Sequence, residues 1–346
     1  MRAVTYVKNN TVELRDKPVP EIAPDQVLLK VGGAGVCHSD IAIIGLGDSN
    51  PLIGGTLGHE VAGTVEQIGA NVTGWQVGAR ALVALILSCG HCRECLAGRD
   101  NQCEVVAPRG SLAPLSPGIG SPGGMADYIA VNARHLDPIG DLDPVAAAPL
   151  ADAALTPMHA INTVRERLTS DATVVTIGLG GLGHMALQIL AATTGARIIA
   201  LDTDPEKLAF AKTHGADLAL PSDGDAAARI LAETGGVGAD VVFDFVGVQP
   251  TVDLAVAVVR GGGAIRFVGL GGGSFPYSAG SGSGLPWGVN IERAYGGTRA
   301  DMRQAVALAQ AGKIAVEVVR YSLDDAVQAF DDLHHGKIAG RAVLVP

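Results

Sequence analysis

The chain has 346 residues, 48% of them hydrophobic and 17% charged, with a formal net charge of -10. This length permits two domains, the apolar share can fill sizeable cores, and the acidic balance argues against nucleic acid or an anionic membrane as partner. Glycine is abundant at 47 residues while aromatics are only 4%, so turns and close backbone contacts are plentiful and any substrate pocket has few rings for its walls.

Residues 1–35 alternate strand-like runs with Pro and Gly: RAVTYV, TVELRD, then QVLLKVGGAGV. Residues 61–85 continue in the same manner, so the first part of the chain reads as a β-rich, barrel-like unit. The start, MRAVTYVKNN, shows no basic segment followed by a long apolar stretch, and the longest apolar run, residues 81–87, is too short to span a bilayer. The expectation is a cytoplasmic protein with reduced thiols and no membrane partner. Residues 104–135 are rich in Pro and Gly and read as a long surface loop followed by the strand ADYIAV.

From about residue 155 the pattern changes. Strand-like ATVVTI at 172–177 precedes a glycine-rich turn and a helical run that Gly195 would stop. A second strand, ARIIAL, ends at Asp202, and Asp204-Pro205-Glu206 opens the next helix. ADLAL, ADVVFDFVG and GAIRFVGL continue the series, with helices near 225–234 and 251–260. Continuous Val/Ile/Leu strands alternating with helices predict an α/β, doubly wound parallel sheet. After the low-complexity glycine and serine repeats at 271–284 come two helices, at 301–312 and 324–335, and a last strand, RAVLVP.

Four cysteines, Cys89, Cys92, Cys95 and Cys103, fall in one short stretch with C-x2-C-x2-C-x7-C spacing. Thiolates so placed can close a tetrahedral zinc site, or less often hold an iron–sulfur cluster. In a reducing compartment a metal site is favoured over an oxidised pair.

Gly178-Leu179-Gly180-Gly181-Leu182-Gly183 matches G-x-G-x-x-G between a predicted strand and a predicted helix. Such a loop lets backbone N–H groups approach a pyrophosphate at a helix N-terminus. Asp202 lies 19 residues after Gly183, at the end of the next strand. A carboxylate there accepts from a ribose 2′-OH and repels a 2′-phosphate, which favours NAD over NADP.

Upstream lie Cys37-His38-Ser39-Asp40 and Gly58-His59-Glu60. Cys and neutral imidazole both suit zinc, and a catalytic zinc takes three protein ligands and keeps one open position. Singly, Cys37 reads as a small core residue and His59 as a structural histidine. Glu60, His159 and Asp152 all qualify by chemistry as a third ligand, and spacing does not choose among them.

Taken in order, Cys-His-Ser-Asp at 37–40, Gly-His-Glu at 58–60, the four-cysteine cluster and the loop at 178–183 resemble the zinc-containing medium-chain alcohol dehydrogenases. The stretch PIGDLDPVAAAPLADAALT, residues 138–156, is similar to bacterial secondary-alcohol dehydrogenases and carbonyl reductases. The resemblance implies a GroES-like catalytic domain from residues 1–153 and 296–346, with a structural zinc lobe at about 87–105. A Rossmann NAD-binding domain spans 154–295.

The resemblance further implies Cys37, His59 and Asp152 as catalytic zinc ligands, with Asp where many members have Cys. Cys89, Cys92, Cys95 and Cys103 would hold a second, structural zinc. It assigns Glu60 as the acid beside the zinc, Asp40 as the partner orienting His59, and Ser39 as the hydroxyl that takes the substrate proton. The position of the usual relay histidine is Ala42, so the relay would end at the cofactor ribose, a water or His38. Thr156, Lys207, Val246, Val268 and Arg341 would contact NAD together with Gly178, Gly180, Gly181, Leu182, Gly183, Asp202 and His38, Arg341 at the pyrophosphate. Ala42, Leu46, Leu112, Leu115, Trp287 and Tyr295 are candidate walls of a pocket that small Ala42 and Gly296 leave roomy and apolar. The implied reaction is NAD(H)-linked interconversion of a secondary alcohol and a ketone, bulky or aryl-substituted. A polyol-, amino-alcohol- or aldehyde-directed dehydrogenase is the alternative. A homo-oligomer is implied, with a tetramer favoured over a dimer.

Overall fold

The computed structural model describes residues 1–8, 11–48, 50–111, 113–280 and 284–346. Leu112 therefore lies outside the described residues. The chain divides into two compact units, residues 1–155 with 296–346, and residues 156–295. No helix among the described residues is long and apolar enough to cross a membrane.

The first unit is built on a seven-stranded sheet. Its order runs Val318–Ser322, Arg341–Val345, Gln26–Gly35, Glu60–Ile68, Arg80–Val83 and Leu136–Pro138, with Tyr128–Asn132 also paired to Gln26–Gly35. Alternation along Gln26–Gly35 puts Val27, Leu29 and Val31 into an apolar core with Val61, Val65, Ile129 and Leu344. Antiparallel register sets Gly35 opposite both Glu60 and Val343. One end of the sheet thus carries Cys37 just past the first strand, His59 just before the second, and Arg341 opening the last.

Two short helices finish that end. His38–Ile44 starts at Cys37, whose backbone N–H donates to Asp40 Oδ2 at 3.0 Å, closing a capping box. A 3-10 turn, Ala148–Ala151, is capped at its C-terminus by Asp152. The region 104–135 is less superficial than its composition suggests: Ser116, Met125 and Ala126 are buried, and Met125 bonds back to Val4 and Leu57. Its Pro and Gly serve tight turns over a core and not a solvated loop.

The second unit is a six-stranded sheet in which every pairing is parallel. The order is Leu218–Pro221, Arg197–Asp202, Thr173–Ile177, Ala239–Asp244, Val259–Phe267, Asn290–Arg293. The order reverses beside Thr173–Ile177, the place where a ligand crevice opens at the strands' carboxyl ends. Val175, Ile177, Ile199, Leu201 and Val242 form its core. The doubly wound sheet expected from the Val/Ile/Leu runs is present. Missed in the sequence were the edge strands Asn290–Arg293 and Val318–Ser322 and the helix Leu155–Asn162. Both strands alternate weakly because each is only half covered.

Candidate active site and metal centres

Cys37, His59, Glu60 and Asp152 are all buried, and each offers a ligand atom within 4.8 Å of the others. Asp152 Oδ2 lies 3.5 Å from Cys37 Sγ and 3.6 Å from His59 Nε2. Bonds of about 2.0–2.3 Å to a tetrahedral zinc would make these edges about 3.4–3.6 Å. The residues therefore fit zinc. The third-ligand question left open by spacing narrows to Asp152 and Glu60, since His159 is not in the cluster.

Arg341 separates those two carboxylates. Its Nε donates to Glu60 Oε2 at 3.0 Å, and its Nη2 makes a short contact with Glu60 Oε1. The same Nη2 lies 3.4 Å from Asp152 Oδ2. Glu60 thus spends both oxygens on the guanidinium, and Asp152 has the oxygen that faces Cys37 and His59. Arg341, expected at a pyrophosphate, has its side chain buried here and paired with these two acids. No sequence signal marked this, because the pairing joins residues 281 positions apart.

Charge explains the arrangement. Burial works against an imidazolium at His59, yet Asp40, Asp152 and Cys37 together lift it well above its ordinary value. The pocket is a net anionic hole that favours a cation, and a metal ion can replace the proton there. Asp40 lies behind the ring as a charge neighbour, its Oδ1 3.2 Å from His59 Nδ1, and Nε2 faces the cluster. Burial pushes Glu60 up to about 7 even with Arg341 against it. Ser39 Oγ is 3.6 Å from Cys37 Sγ, and His38 and Ala42 are exposed on the same short helix.

The second cluster is Cys89, Cys92, Cys95 and Cys103. Sγ–Sγ distances are 3.9 Å for Cys89–Cys95 and for Cys92–Cys103. Four thiolates at about 2.3 Å from zinc would sit about 3.8 Å apart. Backbone N–H groups, first that of Cys95, lower Cys92 to about 6, while burial raises Cys95 to about 12. N–H···S donation is what a metal thiolate needs. The lobe is tied down by His135 Nε2 to Ser88 O at 2.9 Å and by short contacts from Arg134 to the Ser88 and Cys89 carbonyls.

In the second unit the loop follows the strand Thr173–Ile177 directly. Gly178 has φ +86°, and a Cβ there would meet Val246 at 2.3 Å. A Cβ on Gly183 would lie 1.8 Å from the Gly178 carbonyl oxygen, whereas Gly180 has nothing within 4 Å. The glycines thus serve tight packing below and leave open approach above, which fits a dinucleotide pyrophosphate at the N-terminus of helix Gly183–Thr193. Asp202 Oδ2 accepts from Leu179 N at 2.7 Å, so the acidic residue also anchors the loop. Lys207 is half-buried in the first turn of the helix after it, and Val246 and Val268 follow the carboxyl ends of their strands. Thr156 is buried.

These features have known counterparts. A family described as alcohol dehydrogenase GroES-like domain matches residues 23–141, and one described as zinc-binding dehydrogenase matches residues 181–311. An NAD-dependent alcohol dehydrogenase of Sulfurisphaera tokodaii is 34% identical over the whole of both chains. This chain belongs to the zinc-containing medium-chain alcohol dehydrogenases. Among solved members of the family, the alcohol dehydrogenase of Aeropyrum pernix is 32% identical, with a TM-score of 0.90 over all of both chains. Acetophenone reductase from Geotrichum candidum, solved with NAD, is 30% identical, with a TM-score of 0.87 over 100% of this chain and 97% of that one. The family fold agrees with the GroES-like and Rossmann reading of the sequence.

The expected pocket walls divide. Ala42 and Leu46 lie on or just after the helix that begins at Cys37, and Leu46 is 54% exposed. Tyr295 is partly exposed at the end of the second unit. Leu115 bonds through its backbone to Leu87 and Val106, beside the cysteine lobe. Trp287 is a correction. It is 83% exposed and precedes the strand Asn290–Arg293, and its carbonyl accepts from Gly262 N. That is the amino end of the parallel sheet, opposite the end where Gly178 and Val268 sit.

Proposed function

We propose that this chain catalyses NAD-linked, zinc-dependent hydride transfer between secondary alcohols and ketones, with bulky or aryl-substituted substrates preferred. The observation that carries the reading is the convergence of Cys37, His59 and Asp152 at tetrahedral-edge distances. Bound zinc would supply Lewis-acid activation of the substrate oxygen near neutral pH, and NAD would accept the hydride.

The chain's own residues do the rest. Ser39 Oγ, beside the ligand set, takes the hydroxyl proton of the substrate. With Ala42 in place of a relay imidazole, that proton passes toward the cofactor ribose, a water, or the exposed His38. Asp40 faces His59 Nδ1 and would orient the ring, and Arg341 keeps Glu60 paired beside the site. Asp202 supports NAD over NADP, since its carboxylate would repel a 2′-phosphate. Ala42 leaves room beside the cluster, and the likeness to an acetophenone reductase supports an aryl ketone. The four-cysteine zinc would brace its lobe without entering the chemistry. The reading includes a cytoplasmic homo-oligomer, a tetramer before a dimer, to be measured by light scattering.

Initial rates across primary, secondary, aryl and polyol substrates with NAD, and NADP as control, test it. Secondary and aryl alcohols should turn over fastest, with NAD alone. Preference for ethanol or for a polyol would overturn the substrate assignment.

A further inference from the structure

His184 is buried at 3% exposure in the first turn of the helix Gly183–Thr193. Its backbone N–H, one of the donors a helix start leaves without an intrahelical partner, donates to the Gly180 carbonyl ahead of the helix at 3.0 Å. Its ring Nδ1 lies 3.0 Å from the same oxygen. A carbonyl can only accept, so Nδ1 carries the proton. Gly180 O therefore takes two donors from one residue. His214 and His335 make the same four-residue back-bond at helix C-termini, to the carbonyls of Phe210 and Asp331. Those carbonyls belong to helix ends, and Asp331 O likewise takes both donors of its histidine. At Gly180 the carbonyl belongs to the glycine loop.

The peptide unit is planar and trans, so the carbonyl of Gly180 and the N–H of Gly181 point in opposite directions. Pinning the first toward the helix aims the second away from it, on a loop where even a Cβ on Gly180 would meet nothing within 4 Å. Without a Cβ, Gly180 and Gly181 would otherwise let this plane rotate at little cost. The ring is held in turn: it meets Phe210 edge-on at 6.2 Å and 67°. Phe210 lies on the helix Pro205–Thr213, which follows Asp202.

We infer that His184 is a positioning residue for cofactor binding: it fixes the Gly180–Gly181 peptide plane so that the Gly181 N–H is preset toward a dinucleotide pyrophosphate. The inference rests on the reading that this loop binds NAD. It adds a residue outside the glycine motif to that site, one that touches no ligand itself.

Binding of ADP-ribose, NADH and adenosine is measured by calorimetry on wild type, His184→Leu and His184→Asn. Leu keeps bulk and removes the donor; the Asn amide can place an N–H near the Nδ1 position. His184→Leu should weaken ADP-ribose and NADH about 3- to 10-fold, the worth of one neutral hydrogen bond. Adenosine, lacking the pyrophosphate, should stay within about 2-fold, and His184→Asn should recover most of the loss. KM for NAD should rise with kcat at saturation unchanged. Wild-type protein that does not bind ADP-ribose would sink the NAD reading itself. Wild-type binding with an unchanged His184→Leu would overturn the inference. So would equal loss of adenosine and ADP-ribose in both variants, which marks a packing role; thermal unfolding of each variant shows whether the fold is kept.

Discussion

Gly35 is the residue whose replacement tests the acid–base architecture of the metal site. It stands opposite Glu60 in the sheet, with Val343 paired on its other side, so the strand cannot retreat in the plane of the sheet. A Cβ added there would lie 1.8 Å from Glu60 Oε2, 2.8 Å from its Cδ and 2.9 Å from its Cβ. Gly35→Ala must therefore push the Glu60 carboxylate off Arg341, whose guanidinium is 2% exposed and would be left short of a partner. Breaking one side of a buried ion pair costs about 3–5 kcal/mol. Urea unfolding of the zinc-loaded protein should show that loss in the transition of the first unit. In a Glu60→Ala background the carboxylate clash and the ion pair are gone and only the Cβ contact at 2.9 Å remains, so adding Gly35→Ala should cost clearly less than it does in wild type, a non-additive cycle. Fully additive losses, or an unchanged midpoint for Gly35→Ala alone, would refute the steric reasoning.

Other outcomes follow from single residues. Burial lowers His135 to about 4 from an ordinary 6.5, so the unfolded chain binds its proton first on acidification. Its stability contribution is whole above pH 6.5 and is lost between 6.5 and 4, up to about 3 kcal/mol at 1.36 kcal/mol per unit. Urea midpoints at pH 7 and 4.5 should diverge less in His135→Gln than in wild type. Asp202→Asn should raise activity with NADP relative to NAD and loosen the loop bonded through Leu179, measured as the ratio of kcat/KM values. Cys103→Ser should lower zinc from two per chain toward one and reduce thermal stability, with kcat of the surviving folded enzyme near wild type, read by metal analysis beside steady-state rates.

Local features were legible because local chemistry produces them. The four-cysteine spacing, the glycine loop ending at a helix, and Asp202 closing the next strand each lie within one supersecondary unit, and periodicity exposed the parallel sheet. By spacing alone Cys37 and His59 were visible as residue types but not as partners; the resemblance supplied the pairing. Leu155–Asn162 was hidden because its Pro and Thr weaken a helical pattern that burial then sustains.

The sequence by itself determined the family, the two kinds of metal ligand and the nucleotide loop, since these depend on residue identity over short spans. Spacing left open which carboxylate joins Cys37 and His59; the resemblance implied Asp152, and the tertiary structure supplies the physical reason. The antiparallel register brings Arg341 across from the end of the first strand, where it occupies Glu60 and leaves Asp152 Oδ2 facing the cluster. It also moved Trp287 to the far end of its sheet and gave Gly180 a second donor in His184. Pairings between residues hundreds of positions apart are set by sheet register and burial, and one-dimensional spacing carries neither.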